Sequence, residues 1–411
     1  MLLYRIGIWL YHALLLLASP FHAKARLWVR GRKGQLDRIR PQIVSSKPRL
    51  WMHCASVGEF EQGRPLLERW RQQHPDWQLV LSFFSPSGYE LRKSHSQVDV
   101  VCYLPLDTPR RARAFLNCIQ PTIALMVKNE FWFCHLRELQ TRRIPIVLLS
   151  AVFRPDQLFF RWYGRSFLPD LAAYRLLFVQ DEASRKLLRQ HGIEHAKVVG
   201  DSRVDRVLEI AREAPRLPLV EGFVKRHPTL VIGSSWPPDE HLLEPLISTH
   251  PDWKFIFAPH EISEGQLQRL EQQVRLPSIR YSKLQVGVES DASVLIIDNI
   301  GMLAGLYRYG SMAYVGGGFG QGIHNLLEPA AHGLAVIFGP RHHKFREATL
   351  LLERGAGFCV TDAASLGRVF QELQDVEKRQ EAGLRALGLM QEQAGASQII
   401  YEDLLSLLSK K

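Results

Sequence analysis

The chain has little of what marks a metalloprotein, a disulfide scaffold or a repeat array. It holds five cysteines in 411 residues, at Cys54, Cys102, Cys118, Cys134 and Cys359. Their number is odd and their spacing fits no thiolate metal motif. Most lie in apolar runs, so they read as reduced core residues in a reducing compartment. No short-period repeat or low-complexity segment occurs, which argues against a solenoid. No Gly-Lys-Ser/Thr follows the one glycine-rich run, which excludes a Walker loop. The aromatic-plus-basic motifs of the usual nucleic-acid modules are missing, so nucleic acid is not an expected partner. Acids are in deficit, 41 against 52 bases, for a net charge of +11.

Much of that charge is local. In the first forty residues Arg5, Lys24, Arg26, Arg30, Arg32, Lys33, Arg38 and Arg40 face only Asp37, so eight bases against one acid give +7. The apolar, aromatic stretch Ile6–Phe21 precedes most of them. A membrane span needs roughly 20 apolar residues, and this stretch falls short. A secretory signal would have its bases before the apolar part and a small-residue cleavage site after it. The order here predicts a membrane anchor on the cytoplasmic face, with Lys24–Arg40 resting on anionic headgroups. A buried N-terminal helix with a solvated basic face is the alternative.

With 411 residues and 46% hydrophobic content, two globular domains are expected. From about Arg49 continuous apolar runs alternate with helical stretches. Strands are predicted at 50–55, 78–84, 99–103, 122–127, 145–149, 176–180 and 197–200, then at 229–233, 253–258, 293–298, 311–315, 335–339 and 357–360. That pattern predicts parallel sheets covered on both faces. The charged stretch Leu208–Phe223, with Pro215 and Pro218, is predicted to be a linker. The expected organisation is an anchor and basic segment over 1–40, a Rossmann-like domain over 41–207, the linker over 208–223 and a second Rossmann-like domain over 224–411. The last helix is allowed to pack back on the first domain. Two doubly wound domains would present their strand C-terminal loops to a ligand.

The most informative stretch is YVGGGFGQGIHNLLEPAAHG, from Tyr314 to Gly333. A short strand runs into Gly316, Gly317 and Gly318, and a helix is predicted to open at His324-Asn325. Glycines let a ligand approach the main chain. Asn325 is a good N-cap residue, and the N–H groups behind it favour an anion. Glu328 lies about one turn in, within reach of a sugar hydroxyl.

Polar groups also follow other strands. In the first half Ser56, Gly58 and Glu59 open a helix, where Ser56 can cap and the helix terminus would favour an ionised Glu59, as a general base requires. Ser85 and Ser87 follow the second strand, Lys128 and Glu130 the fourth, and Arg154 the fifth. In the second half Gly233 and Ser234, then Pro259 and His260, then Ile300 and Gly301 occupy equivalent places. Ser202, Arg203 and Asp205 stand just before the predicted linker.

In this order the pieces HCASVGE (53–59), SPSG (85–88), NEFW (129–132), GDSRVD (200–205), DNIGML (298–303) and GIHNLLEPAAHG (322–333) resemble those of the 3-deoxy-D-manno-octulosonic acid (Kdo) transferases of lipopolysaccharide synthesis. The resemblance spans nearly the whole chain. It implies a GT-B glycosyltransferase with two Rossmann-like domains facing a central cleft. Such an enzyme takes Kdo from CMP-Kdo to a lipid A precursor at the cytoplasmic face of the inner membrane. It implies Glu59 as catalytic base and Glu130 as a second acid. It puts Ser56, Gly58, Ser85, Ser87, Lys128 and Arg154 on the acceptor side. The donor would meet Ser202, Arg203, Asp205, Gly233, Ser234, Pro259, His260, Ile300, Gly301, Gly317, Gly318, His324, Asn325 and Glu328, with Glu328 as ribose partner. No cofactor is implied, and without an Asp-x-Asp cluster at a strand end metal-independent, inverting transfer is expected. Three positions depart from the family pattern. Lys128 stands where an acid is common, Arg203 replaces a lysine, and Pro259-His260-Glu261 replaces Pro-Arg-His. Two other readings compete: a GT-B transferase or epimerase using a UDP-sugar, and a basic, membrane-associated or nucleic-acid-binding scaffold without catalysis.

Overall fold

Short apolar strands alternate with helices along almost the whole chain in the computed structural model, which describes residues 1–285 and 290–409. The first series is β1 (Arg49–Cys54), β2 (Gln78–Phe83), β3 (Val100–Tyr103), β4 (Ile123–Val127), β5 (Ile146–Ala151), β6 (Leu176–Val179) and β7 (Ala196–Val198). The second is β8 (Thr229–Ser235), β9 (Lys254–Pro259), β10 (Ser278–Arg280), β11 (Val294–Ile296), β12 (Met312–Val315), β13 (Val336–Phe338) and β14 (Gly357–Cys359). Among the described residues they form two seven-stranded sheets, in the orders β3-β2-β1-β4-β5-β6-β7 and β10-β11-β9-β8-β12-β13-β14. All pairings are parallel. The chain divides into two compact units, Met1–Arg203 with Gly395–Lys411, and Val204–Ala394.

Both faces of each sheet are covered, so strand residues alternate between two cores rather than between core and water. In β1, Trp51 packs into one apolar cluster while Leu50, Met52 and Cys54 pack into another. The final helix, Ala396–Ser409, belongs to the first unit, where Ile400 and Leu404 are buried in the second of these clusters. Four of the five cysteines are buried and all are free thiols.

Strand order places the functional loops. β1 pairs with β2 on one side and β4 on the other, and β8 pairs with β9 and β12. At both places the winding reverses, and in open parallel sheets ligands bind beyond the strand C-termini at that reversal.

Two expectations change. Residues 208–223, predicted to be a linker, hold the second half of the helix Arg203–Glu213 and all but the last residue of the helix Pro218–Val224, and the division into units falls at 203/204. Pro218 stands at the first helical turn, where its missing N–H costs nothing. The short edge strand β10 was not anticipated, because its residues are only half-buried and form no apolar run.

The N-terminal segment forms the helix Leu2–Ala18, with no buried residue, followed after a 117° bend by the helix Ala23–Arg32. Leu2, Leu3, Leu10, Leu14, Leu17 and Phe21 are exposed. No single helix among the described residues is long and apolar enough to cross a membrane; only this bent pair passes by length and composition. Tyr4 fastens the segment to its unit. Its hydroxyl donates to Asp107 Oδ2 at 2.6 Å, and its ring meets Phe133 edge-on at 5.0 Å. Trp28 is buried, with the Arg32 guanidinium 3.8 Å from its ring centre.

Candidate active site

At the first reversal, β1 ends at Cys54 and the helix Val57–Gln73 begins. Ser56 is its N-cap and accepts from Glu59 N at 3.4 Å. Glu59 Oε2 in turn accepts from Ala55 N at 2.5 Å. The carboxyl is therefore fixed at both ends of a reciprocal cap, with Gly58 exposed beside it. Burial, then the charge of Glu130, pushes the Glu59 carboxyl up to about 7, while the N–H groups of Ala55 and Ser56 and the charge of Lys128 pull it down. This reverses the expected balance. Raising a carboxyl that far costs its anion on the order of 3 kcal/mol, whereas a helix terminus returns about 0.3–1 kcal/mol. Glu59 is thus half-ionised near neutrality, the range in which a general base works best.

The loop after β4 supplies the neighbouring acid. Lys128 is exposed at φ 64, and Asn129 Nδ2 donates to Val152 O at 3.0 Å. Glu130 Oε2 accepts from Trp132 Nε1 at 2.6 Å and lies 3.2 Å from His53 Nε2. His53 is wholly buried, with Nδ1 2.9 Å from Ser82 Oγ, and that oxygen accepts from Trp51 Nε1 at 2.8 Å. His53, Ser82 and Trp132 were not anticipated as site residues. The available signal was a histidine and a serine at adjacent positions of otherwise apolar strands, paired as His53↔Ser82 in the β1–β2 register. Ser85 and Ser87 bond each other at 2.7 Å at the start of the helix Pro86–Arg92. Arg154 is exposed, its main-chain N held by Gln157 Oε1 at 3.1 Å.

The second reversal lies between β8 and β12. β8 ends in Gly233, Ser234 (φ 52) and Ser235, and the helix Pro237–Thr249 follows. Asp239, in its first turn, reaches across to the glycine loop. Asp239 Oδ2 accepts from Gly317 N and Trp236 N, both at 2.9 Å, and Oδ1 accepts from the Tyr314 hydroxyl at 2.9 Å. Burial raises the Asp239 carboxyl, and these three donors oppose that rise. Gly317 sits at φ 92, and a side chain on Gly318 would strike the Gly339 main chain at 2.5 Å. Both positions therefore require glycine. Beside the loop Trp236, His260 and His324 stack: Trp236 on His260 at 4.4 Å and His260 on His324 at 4.5 Å. Trp236 Nε1 donates to His324 Nε2 at 2.8 Å. Burial and His260 push the His324 imidazole down to about 4, so the ring is neutral and able to accept that bond. Pro259, the last residue of β9, precedes His260.

The family described as 3-deoxy-D-manno-octulosonic-acid transferase (kdotransferase) has a model that matches residues 29–206. The 3-deoxy-D-manno-octulosonic acid transferase of Aquifex aeolicus is 29% identical over 355 residues, 84% of this chain and 91% of the relative. The Chlamydia trachomatis serovar D transferase of the same name is 24% identical over 408 residues, 94% of this chain and 91% of the relative. The chain is similar to this family over residues 29–206 and to these relatives over most of its length. It is accordingly a glycosyltransferase. Among solved structures, a putative UDP-N-acetylglucosamine 2-epimerase from Listeria monocytogenes aligns with a TM-score of 0.60 at 10% identity, covering 89% of this chain and 98% of that one. Acinetobacter baumannii MurG aligns with a TM-score of 0.55 at 13% identity, covering 89% and 100%. At those identities the likeness speaks for the fold alone, the paired doubly wound units of the GT-B class.

Some expected donor residues lie elsewhere or are already engaged. The helix expected at Asn325 begins at Leu327 and has five residues, Leu327–Ala331. Asn325 Oδ1 accepts from Leu327 N at 3.1 Å and its Nδ2 donates to Glu328 Oε1 at 2.9 Å. A helix that short carries little dipole, so the helix-terminus argument for an anion fails there. Ser202 is buried inside the first unit, 2.8 Å from Ser150 Oγ and donating to Gln62 O at 2.5 Å. It tightens that unit's packing and is not presented to a donor. Arg203 is bonded to Asp201 through both its side chain and its main chain, and Asp205 lies in the first turn of the helix Arg203–Glu213. Ile300 is 88% exposed, followed by Gly301 at φ 95. Among the described residues no group of three or more His, Cys, Asp or Glu side chains is gathered for a metal ion.

Trp236 and Asp239 were the residues of the second unit that sequence reasoning missed. Replacing Asp239 by Ala strands the Tyr314 hydroxyl and two main-chain N–H groups, each costing about 1–3 kcal/mol when buried. The expected outcome for Asp239→Ala is a lower melting temperature for the second unit, with faster amide exchange at Gly317. Exchange at wild-type rates would mean that the carboxylate does not hold the loop.

Proposed function

We propose that the protein transfers Kdo from CMP-Kdo to a lipid A precursor in lipopolysaccharide synthesis, by inverting substitution with Glu59 as general base. One observation carries the assignment of the base. Glu59 sits at the winding reversal of the unit that the family model matches, held by its cap, with a proton affinity near neutrality. In this reading Glu59 takes the proton of the acceptor hydroxyl as that oxygen attacks the anomeric carbon. The bond from that carbon to the phosphate oxygen breaks, and CMP leaves with the electron pair. The attacking oxygen enters opposite the leaving group, which inverts the centre.

The nucleotide is assigned to the loops after β8 and β12. Support comes from the topology of the second sheet, the glycine loop fastened by Asp239 and the flat Trp236–His260–His324 stack. Glu328 remains the proposed ribose partner. Main-chain amides of the glycine loop, rather than the short helix after it, are the proposed phosphate donors.

Glu59→Gln keeps the side chain's shape and removes the base. Transfer from CMP-Kdo to a tetraacylated lipid A precursor, followed by mass analysis, is expected to fall at least about a hundredfold, with CMP protection against heat unchanged. Near-wild-type turnover in this variant would dismiss Glu59 as the base.

The N-terminal segment is proposed to lie on the cytoplasmic face of the inner membrane, its exposed leucines in the acyl region and Lys24–Arg40 near anionic headgroups. The exposure of Leu10, Leu14 and Leu17 on a helix with no buried residue supports this. Replacing the three by Ser leaves Tyr4 in place. Sedimentation with phosphatidylglycerol-containing vesicles is expected to drop at least about tenfold. Undiminished sedimentation would remove the helix from the membrane contact.

A further inference from the structure

A cavity of 750 Å³ lies between the N-terminal segment and the start of the helix Pro109–Ile119. Among the described residues its lining holds five bases, Arg32, Lys33, Arg40, Arg110 and Arg111, against one acid, Asp37. These bases come from two separate parts of the chain. The fold therefore gathers them, and the basic composition of the N-terminal segment does not account for them alone.

Three of the lining residues break local rules. Helix starts favour acids and disfavour bases, because main-chain N–H groups point outward there. The helix Pro109–Ile119 has no acid in its first turn and no side-chain cap at Thr108. Arg110 and Arg111 occupy that turn instead. Their charges and the exposed N–H groups repel one another unless an anion joins them.

Arg32 donates to the main-chain oxygens of Leu104 at 2.9 Å, Phe84 at 2.8 Å and Trp28 at 3.2 Å. Those bonds pin the helix Ala23–Arg32 to the chain just beyond β2 and β3. They bring no negative charge, and a buried cation without a counterion is costly. Burial lowers the Arg32 guanidinium to about 9, still charged at neutral pH, and lowers Arg111 as well. The His12 imidazole on the same lining is lowered by burial and then by Arg111 and Arg32, so it stays neutral. Trp28 also lines the cavity. It is 3% exposed, and its indole N–H has no hydrogen-bond partner among the described residues.

The walls decide between a soluble anion and a lipid. Trp9, Trp28, Val29, Leu36 and Leu106 stand beside the bases. Trp9, 55% exposed, belongs to the helix Leu2–Ala18, whose leucines are exposed. A second cavity of 480 Å³ shares Trp9 and Arg110 and continues to Arg5 on that helix. A hydrated inorganic anion gains nothing from apolar walls. A phospholipid offers its phosphate to the arginines and its glycerol and acyl stem to the aromatic side.

We propose that this cavity binds the phosphate headgroup of an anionic membrane phospholipid, with Arg110 and Arg111 on the phosphate and Trp9 against the glycerol and first acyl carbons. The proposal rests on the reading of the N-terminal segment as lying on a membrane. The lipid is held and not consumed, and it sets the orientation of the first unit on the bilayer.

The full chain is to be titrated calorimetrically with dihexanoyl-phosphatidylglycerol below its micelle concentration. Saturable one-to-one binding is expected, at least about tenfold tighter than for dihexanoyl-phosphatidylcholine or inorganic phosphate. Arg110→Gln with Arg111→Gln should weaken it about tenfold or more. That pair should melt at the wild-type temperature or above, because two bases leave a helix start. Ala114→Phe, which fills the cavity and keeps its charge, should weaken binding as much. Lys24 and Arg30 are exposed and outside the lining. Replacing both by Gln removes the same charge and should leave binding within about twofold.

Undiminished binding in the arginine pair, an equal loss in the Lys24 and Arg30 variant, or equally tight binding of phosphatidylcholine or inorganic phosphate would overturn the proposal. Displacement of the lipid by a tetraacylated lipid A precursor would overturn it too, by giving the cavity to the acceptor. If Ala114→Phe fails to fold, the arginine pair decides. The titration uses no bilayer. Undiminished sedimentation of the Leu10, Leu14 and Leu17 variant would remove the membrane contact of that helix and leave the titration result as it stands, so the two failures are distinguishable.

Discussion

Two carboxylates at one strand crossover are the constraint around which the first unit is organised. Glu59 arrives on the helix after β1 and Glu130 on the loop after β4, because those strands are neighbours at the point where the winding reverses. Burial, and then the charge of Glu130, raises the cost of ionising Glu59. The rest of the loop manages that cost unequally. Glu130 has the Trp132 indole N–H and faces His53, while Glu59 has one short main-chain bond and the opposing charge of Lys128. The support is unequal, and it leaves Glu59 a proton acceptor near neutrality, as the proposed acid–base chemistry at a sugar hydroxyl needs.

The second unit meets a different demand. In the proposed reading a nucleotide comes close to the main chain here, and a loop of glycines has high conformational entropy to lose. Asp239 answers this from the first turn of the helix after β8 by tying Gly317 N, Trp236 N and the Tyr314 hydroxyl to one carboxylate. The loop is thereby ordered before a ligand arrives, which lowers the entropy that binding must offset. The neutral His324, stacked with His260 and Trp236, gives the same rim a flat, weakly charged wall.

Much of this was legible in the amino-acid sequence, and what was not has a physical reason. Parallel strands buried on both faces leave continuous apolar runs, so all but β10 were visible within a few residues of their observed ends. The placing of Ser56, Gly58 and Glu59 at a helix start followed from one capping residue. Residues whose role depends on register were invisible. His53 meets Ser82 only because β1 and β2 align them, and Asp239 meets Gly317 only because β8 and β12 are adjacent. Ser202 looked like a ligand-facing residue from its motif, yet it bonds to Ser150 and to the main chain at Gln62. Asn325 looked like the cap of a helix that could hold an anion, and the glycine run before it and the leucines after it give no sign that only five residues are helical. Proline misled in the same way at 215–218, where a breaker in the sequence is a helix start in the fold.

The most direct measurement is a carbon-13 titration of the Glu59 side-chain carboxyl, in the wild type and in Glu130→Gln. The account requires a midpoint near neutrality in the wild type. Removing the neighbouring charge should bring it down while burial keeps it above the ordinary carboxylate range. A wild-type midpoint already in the ordinary range, or one that Glu130→Gln leaves untouched, would contradict the coupling on which the proposed chemistry is built.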